Sequence, residues 1–149
     1  MPLHDDGDAI KGIGYIAIYA ANLESDIDEC LRLLPTGVAL GVALRWQTSR
    51  KIRFIRDWSL TLNPMPGELA YLPNHLDHVG DLMEERNQVI HGRLLANLET
   101  GELVRESGRQ GVPNIQVTSG DMYRLANDLF AAMDGIKHAW VFRIPRALG

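Results

Sequence analysis

Cysteine is almost missing from this chain: Cys30 stands alone among 149 residues. That excludes an internal disulfide and a cysteine-based zinc site, and it leaves the thiol as a small apolar residue on a helical flank. No stretch approaches the roughly 18 consecutive apolar residues of a membrane span. The opening Met-Pro-Leu-His-Asp-Asp-Gly-Asp is acidic where a secretory leader is basic and then apolar, so a cytoplasmic protein without a membrane partner is expected. Also missing are a P-loop, a glycine-rich dinucleotide turn and a serine or cysteine nucleophile in a recognisable setting. Nothing therefore calls for a cofactor. There is no overall excess of positive charge, and a net charge of −4 argues against general binding to polyanions.

What is present reads as one domain spanning 1–149, with enough apolar residues (46%) to bury a core. Its charge is unevenly placed. Residues 1–29 hold Asp5, Asp6, Asp8, Glu24, Asp26, Asp28 and Glu29 against Lys11 alone, while residues 45–56 hold Arg45, Arg50, Lys51, Arg53 and Arg56 with no acid. A local basic face is thus available for phosphate, with long aliphatic stems covering apolar surface as the competing use of the same residues.

The periodicity predicts four helices. Ile10, Ile13, Ala17, Ala20, Ile27, Leu31 and Leu34 mark the first, ended by Pro35-Thr-Gly37. The doubled Gly-Val-Ala-Leu of residues 37–44 reads as a buried turn or small-residue helical segment. The second helix starts at a Thr48 or Ser49 cap and carries Ile52, Ile55, Trp58 or Ser59, and Leu62 up to Asn63-Pro-Met-Pro-Gly67. A third runs from Glu68 or Pro73 to His91. After Gly92, residues 93–98 and 103–105 suggest a hairpin turning at Thr100-Gly101, with Ile115-Gln-Val117 as a further short strand. A capping box of Thr118 and Asp121 then opens the fourth helix, with Met122, Ala126, Leu129, Met133, Ile136 and Trp140 on one face. Residues 143–149 read as a tail, and Trp46, Trp58 and Trp140 as core or interface anchors. The expected fold is mainly α: a four-helix up-and-down bundle with a small β-hairpin after the third helix.

The third helix contains the misfit. Leu72, Leu76, Val79, Met83 and Ile90 form one apolar stripe, and Arg86 occupies the place in it where a core residue belongs. A guanidinium there needs an anionic partner, a cleft or a subunit interface. Asn87 lies one turn before His91 and shares its face, and Gly92 is the expected C-cap, placing His91 where the helix dipole favours imidazolium. Glu84 and Glu85 are the nearby carboxylates that would make Arg86 merely structural. His75 and His78, with Asp81 or Glu85, have the spacing of metal ligands, but no matching set occurs on another helix, so a solvated face is preferred and no metal is expected.

Arg86-Asn-Gln-Val-Ile-His91 near the end of the third of four helices resembles the HEPN superfamily, whose hallmark is an arginine, four to six residues and a histidine, often with a polar residue after the arginine. The resemblance implies a homodimer with the site at its interface, and metal-independent RNA cleavage by 2′-hydroxyl attack in a microbial toxin or defence setting. His91 would serve as general acid or base, Arg86 would grip the phosphate, and Asn87 would orient one or the other. Arg50, Lys51, Arg53, Arg56 and Arg93 would contact the RNA backbone. Toxins of this superfamily regulated by a nucleotidyltransferase antitoxin often carry a tyrosine two residues after the histidine; Arg93 stands there instead, which speaks against that form of regulation. The alternative is a dimeric helical module that binds a nucleotide, RNA or protein in the same groove without cutting anything.

Overall fold

A computed structural model describes residues 2–90, 93–96, 103–106 and 115–149. The chain is mainly helical: α1 (Ala9–Arg32), a single turn α2 (Leu40–Ala43), α3 (Thr48–Thr61), α4 (Leu72–Ile90), α5 (Ser119–His138) and α6 (Ile144–Leu148). Three short strands, β1 (Arg93–Ala96), β2 (Leu103–Glu106) and β3 (Ile115–Val117), pair antiparallel in that order, with Leu94 opposite Arg105 and Val104 opposite Gln116. The expected turn at Thr100-Gly101 lies outside the described residues. Among the described residues, no helix is long and apolar enough to cross a membrane.

The contacts divide the chain into two compact units, the first formed by Met1–Ala20 and Leu82–Leu129. Here α1 opens on Asp8, whose Oδ1 accepts the backbone N–H of Lys11 at 3.0 Å and so satisfies one orphan donor of the first turn. The stripe expected through Ile10, Ile13 and Ala17 is rotated by one position: Ala9, Gly12, Ile16 and Ala20 are buried and Ile10 is 67% exposed. Gly12 supplies the reason. A Cβ there would lie 2.8 Å from the Cβ of Met122, so the edge of small residues meets α5 and the larger Ile10 turns outward. The helix α5 begins with the reciprocal cap legible in the sequence, Thr118 Oγ1 accepting from the N–H of Asp121 at 3.1 Å and Asp121 Oδ2 accepting from that of Thr118 at 3.2 Å. Residues before α1 are strapped to it, Asn127 bonding both backbone groups of Leu3 and Asp5 accepting from Ser119. Asp6 accepts from Lys11 and from the Tyr123 hydroxyl, each at 2.7 Å, and these bonds hold its carboxyl well below the usual carboxylate range.

The second unit comprises Ala21–Asp81 and Phe130–Gly149. Its core is Leu23, Ile27 and Leu31 of α1, Ile52 and Ile55 of α3, Leu72, Leu76 and Val79 of α4, and Met133 and Ile136 of α5. The expected caps of α3 are not used. Thr48 is already helical and its hydroxyl donates to Glu24, leaving Gln47 at the N-cap without a side-chain bond. The doubled tetrapeptide yields only α2, with Ala43 buried and Val42 exposed.

Residues 143–149 are not a tail. A π-helical segment, Ala139–Arg143, leads into α6; Ile144 is fully buried, and Arg143 donates to the carbonyl of Glu68 at 2.8 Å while lying over the Tyr71 ring. Ile144 prolongs the series Met133, Ile136 and Trp140 by one further step of four. Two side chains of the α4 end bond to α5 carbonyls: the Tyr71 hydroxyl donates to Gly135 at 2.6 Å and His75 Nε2 lies 2.9 Å from the oxygen of Ala132. Gly135 makes this approach possible, since a Cβ there would collide with the His75 imidazole.

Asp26 is a buried carboxylate in this unit. Its Oδ1 accepts from Trp140 Nε1 at 3.2 Å, while Oδ2 is buried with no hydrogen-bond partner among the described residues. Burial raises its pKa, opposed by the Trp140 bond and the Lys137 charge. A carboxyl with a raised folded pKa holds its proton more tightly in the folded chain than in the unfolded one. The cost to stability is therefore absent below the unfolded value of about 3.9, grows as pH rises from there towards the folded value, and is complete above it. Asp26→Asn is expected to raise the thermal midpoint at pH 7, with the advantage shrinking towards pH 4. Calorimetry at both pH values checks this, and an equal difference at the two would exclude a charge penalty at Asp26.

Candidate functional site

On α4 the buried face runs Leu72, Leu76, Val79, Leu82 with Met83, and Val89. The last apolar place belongs to Val89, three residues after Arg86; Ile90, expected there, is exposed. Arg86 keeps its place on this face, four residues after Leu82, and is half-buried with its Nε shielded from solvent. Asn87 follows it, also half-buried. His91 and its expected cap Gly92 lie outside the described residues; in sequence they follow directly on Ile90, the last residue of α4. Arg93 opens β1.

The neighbouring carboxylate Glu85 is engaged elsewhere. Its Oε2 accepts from Arg124 Nη2 at 2.8 Å, and Arg124 also holds Asp128 at 2.9 Å. Of the histidines considered as ligands, His75 is occupied by the Ala132 carbonyl, and the His75 and His78 ring centroids are 6.4 Å apart. Among the described residues no three histidine, cysteine, aspartate or glutamate side chains cluster as a metal would require.

The basic segment of α3 divides into two pairs. Lys51 is buried, with its ammonium 2.6 Å from Asp28, and Arg56 Nε is 2.8 Å from Asp77. These two cations are neutralised by acids of other helices and take no part in a free basic face. Arg50 and Arg53 are exposed. The guanidinium of Arg50 lies 4.2 Å from the centre of the Trp46 ring, and Trp46 is in turn 5.5 Å from the ring of Phe54. Together with Arg53 and Asp57 they line an open cleft of about 450 Å³. Trp46 is thus half-exposed beside a cavity rather than a core anchor. Part of the signal was available: Arg50, Arg53, Phe54 and Asp57 fall at the spacings of one face of α3, while Trp46 precedes the helix.

Comparison with family models, with curated proteins and with solved structures gives no significant match. The site is therefore judged by its own chemistry.

Proposed function

We propose that this chain is a HEPN-like, metal-independent endoribonuclease of a toxin or defence type, acting as a cytoplasmic homodimer. Its long helices would form an up-and-down bundle with a hairpin after the third. The observation that carries the reading is Arg86: a half-buried arginine on the core-facing side of α4, with Asn87 beside it and His91 five residues on in sequence. The planar guanidinium matches the non-bridging oxygens of a phosphate, and a seam between two copies would bring one to it.

The chemistry follows from these groups. The ribose 2′-hydroxyl loses a proton to an imidazole and attacks the adjacent phosphorus; the bond to the 5′-oxygen breaks, and that oxygen takes up a proton. The products are a 2′,3′-cyclic phosphate and a free 5′-hydroxyl. His91 and its counterpart in a second copy would share the two proton transfers, and Arg86 would bind the non-bridging oxygens as charge accumulates. Asn87 would hold the imidazole or phosphate in register. An antitoxin or another regulatory protein that covers the groove is the kind of partner that would restrain such an activity.

The test is purified protein with labelled single-stranded RNA in excess EDTA, followed by analysis of the product ends. Cleavage leaving cyclic phosphate supports the reading. Loss of cleavage in EDTA, or 3′-hydroxyl ends, overturns it. Protein that binds RNA but leaves it whole is the recognition module instead.

A further inference from the structure

We propose that the cleft beside Trp46 is a nucleotide-binding subsite, in which Arg50 and Arg53 take a phosphate and the Trp46–Phe54 pair takes the base. The proposal rests on the reading of this chain as a protein that engages RNA, but not on Arg86 or His91 cutting it.

Three observations converge. Arg53 is exposed, and among the described residues no carboxylate pairs with it, in contrast to Lys51 and Arg56 on the same helix. The guanidinium carbon of Arg50 lies 4.2 Å from the centre of the Trp46 ring, a contact that restricts the side chain, so less freedom is lost when it grips an anion. The aromatic pair lies in the wall of the same cavity, whose 450 Å³ falls within the range of small-ligand sites. Cations beside exposed aromatic surface form the combination that binds a nucleotide unit without reading its sequence, because every base has a π-face. The cleft's one carboxylate, Asp57, lies 3.7 Å from Arg56. As an acceptor it favours a base edge that presents N–H groups.

The same chemistry is offered by a free 5′-mononucleotide and by a segment of single-stranded RNA. Binding is to be measured by fluorescence anisotropy of a 2′-O-methyl oligonucleotide, which cannot be cleaved by 2′-hydroxyl attack, with a 5′-mononucleotide as competitor. Arg50→Ala, Arg53→Ala, Trp46→Leu and Arg56→Ala are compared, each verified as folded by circular dichroism. Arg53→Ala and Arg50→Ala should each weaken binding about tenfold at low salt and flatten its salt dependence by roughly one phosphate contact. Trp46→Leu should weaken it about fivefold or more with the salt slope unchanged. Arg56→Ala, already neutralised by Asp77, should stay within about twofold of wild type.

Equal losses in all three arginine variants would reduce the cleft to diffuse charge and overturn the proposal, as would wild type that binds neither probe. Competition by the mononucleotide at the oligonucleotide's own affinity identifies a free nucleotide as occupant; a much weaker competitor identifies an RNA segment. Should wild type bind through the cleft yet leave ordinary RNA intact, the ribonuclease reading fails and the subsite stands. Should it cut RNA with Arg50 and Arg53 immaterial to binding, the reverse holds.

Discussion

His91→Ala is expected to lower RNA cleavage in EDTA by about 10²- to 10⁴-fold, the range spanned by removal of a positioned acid or base. Single-turnover rates on one labelled RNA measure it. The profile of log rate against pH should carry a bend in wild type that the variant loses. Arg86 calls for a different design, because it shares a helix face with Leu82 and Val89 and its truncation would also open space in the core. Arg86→Met keeps the aliphatic bulk and discards the charge. A purely structural arginine predicts a fall in thermal midpoint with cleavage per folded molecule preserved. A phosphate-gripping arginine predicts that cleavage per folded molecule is lost whatever the change in thermal midpoint, because a thioether cannot bind the non-bridging oxygens. Arg86→Lys should recover little, as an ammonium cannot reproduce the planar fork.

Gly135→Ala should destabilise the fold by about 2 kcal/mol, lowering the thermal midpoint by roughly 4–8 °C. The sign is the informative part. Inside a helix, exchanging glycine for alanine ordinarily adds up to about 1 kcal/mol of stability. Here the new methyl would fall on the imidazole of His75, whose Nε2 is bonded to the Ala132 carbonyl 2.9 Å away. Either that bond breaks or α4 and α5 separate locally, and separation would also strain the 2.6 Å bond from Tyr71 to Gly135. A double-mutant cycle isolates the cause: with His75→Ala already in place, the methyl has room, and the cost of Gly135→Ala should fall or change sign. Additive effects in that cycle would mean that the steric contact is not what makes glycine necessary.

How much could be read in advance varied with what each residue depended on. The fourth helix was legible because its determinants are local: Thr118 and Asp121 bond each other's backbone, and Met122 through Ile136 keep one regular face. Arg86 was legible for the same reason, as an interruption in a periodic stripe. The start of α1 was misread because hydrophobicity favoured Ile10 while packing favoured Gly12, and only the proximity of Met122 decides between them. Counting cations along α3 could not show that Asp28 and Asp77, from other helices, take two of them out of use. Trp46 reads as a core or interface anchor from its place near a helical apolar stripe, and because it precedes α3 only the fold brings it beside Arg50 and Phe54.

The burial of Cys30 has a practical side. Its thiol is fully enclosed, sits 3.8 Å from the Ile136 carbonyl, and has its pKa pushed up to about 12 by burial and then by the nearby charges of Asp26 and Glu29. Since the thiolate is the reactive form, maleimides and other alkylating reagents meet no competent nucleophile while the fold is closed. A fluorophore can therefore be attached at a newly introduced surface cysteine without first removing the native one. The slow alkylation of Cys30 itself becomes a clock for how often α1 and α5 part.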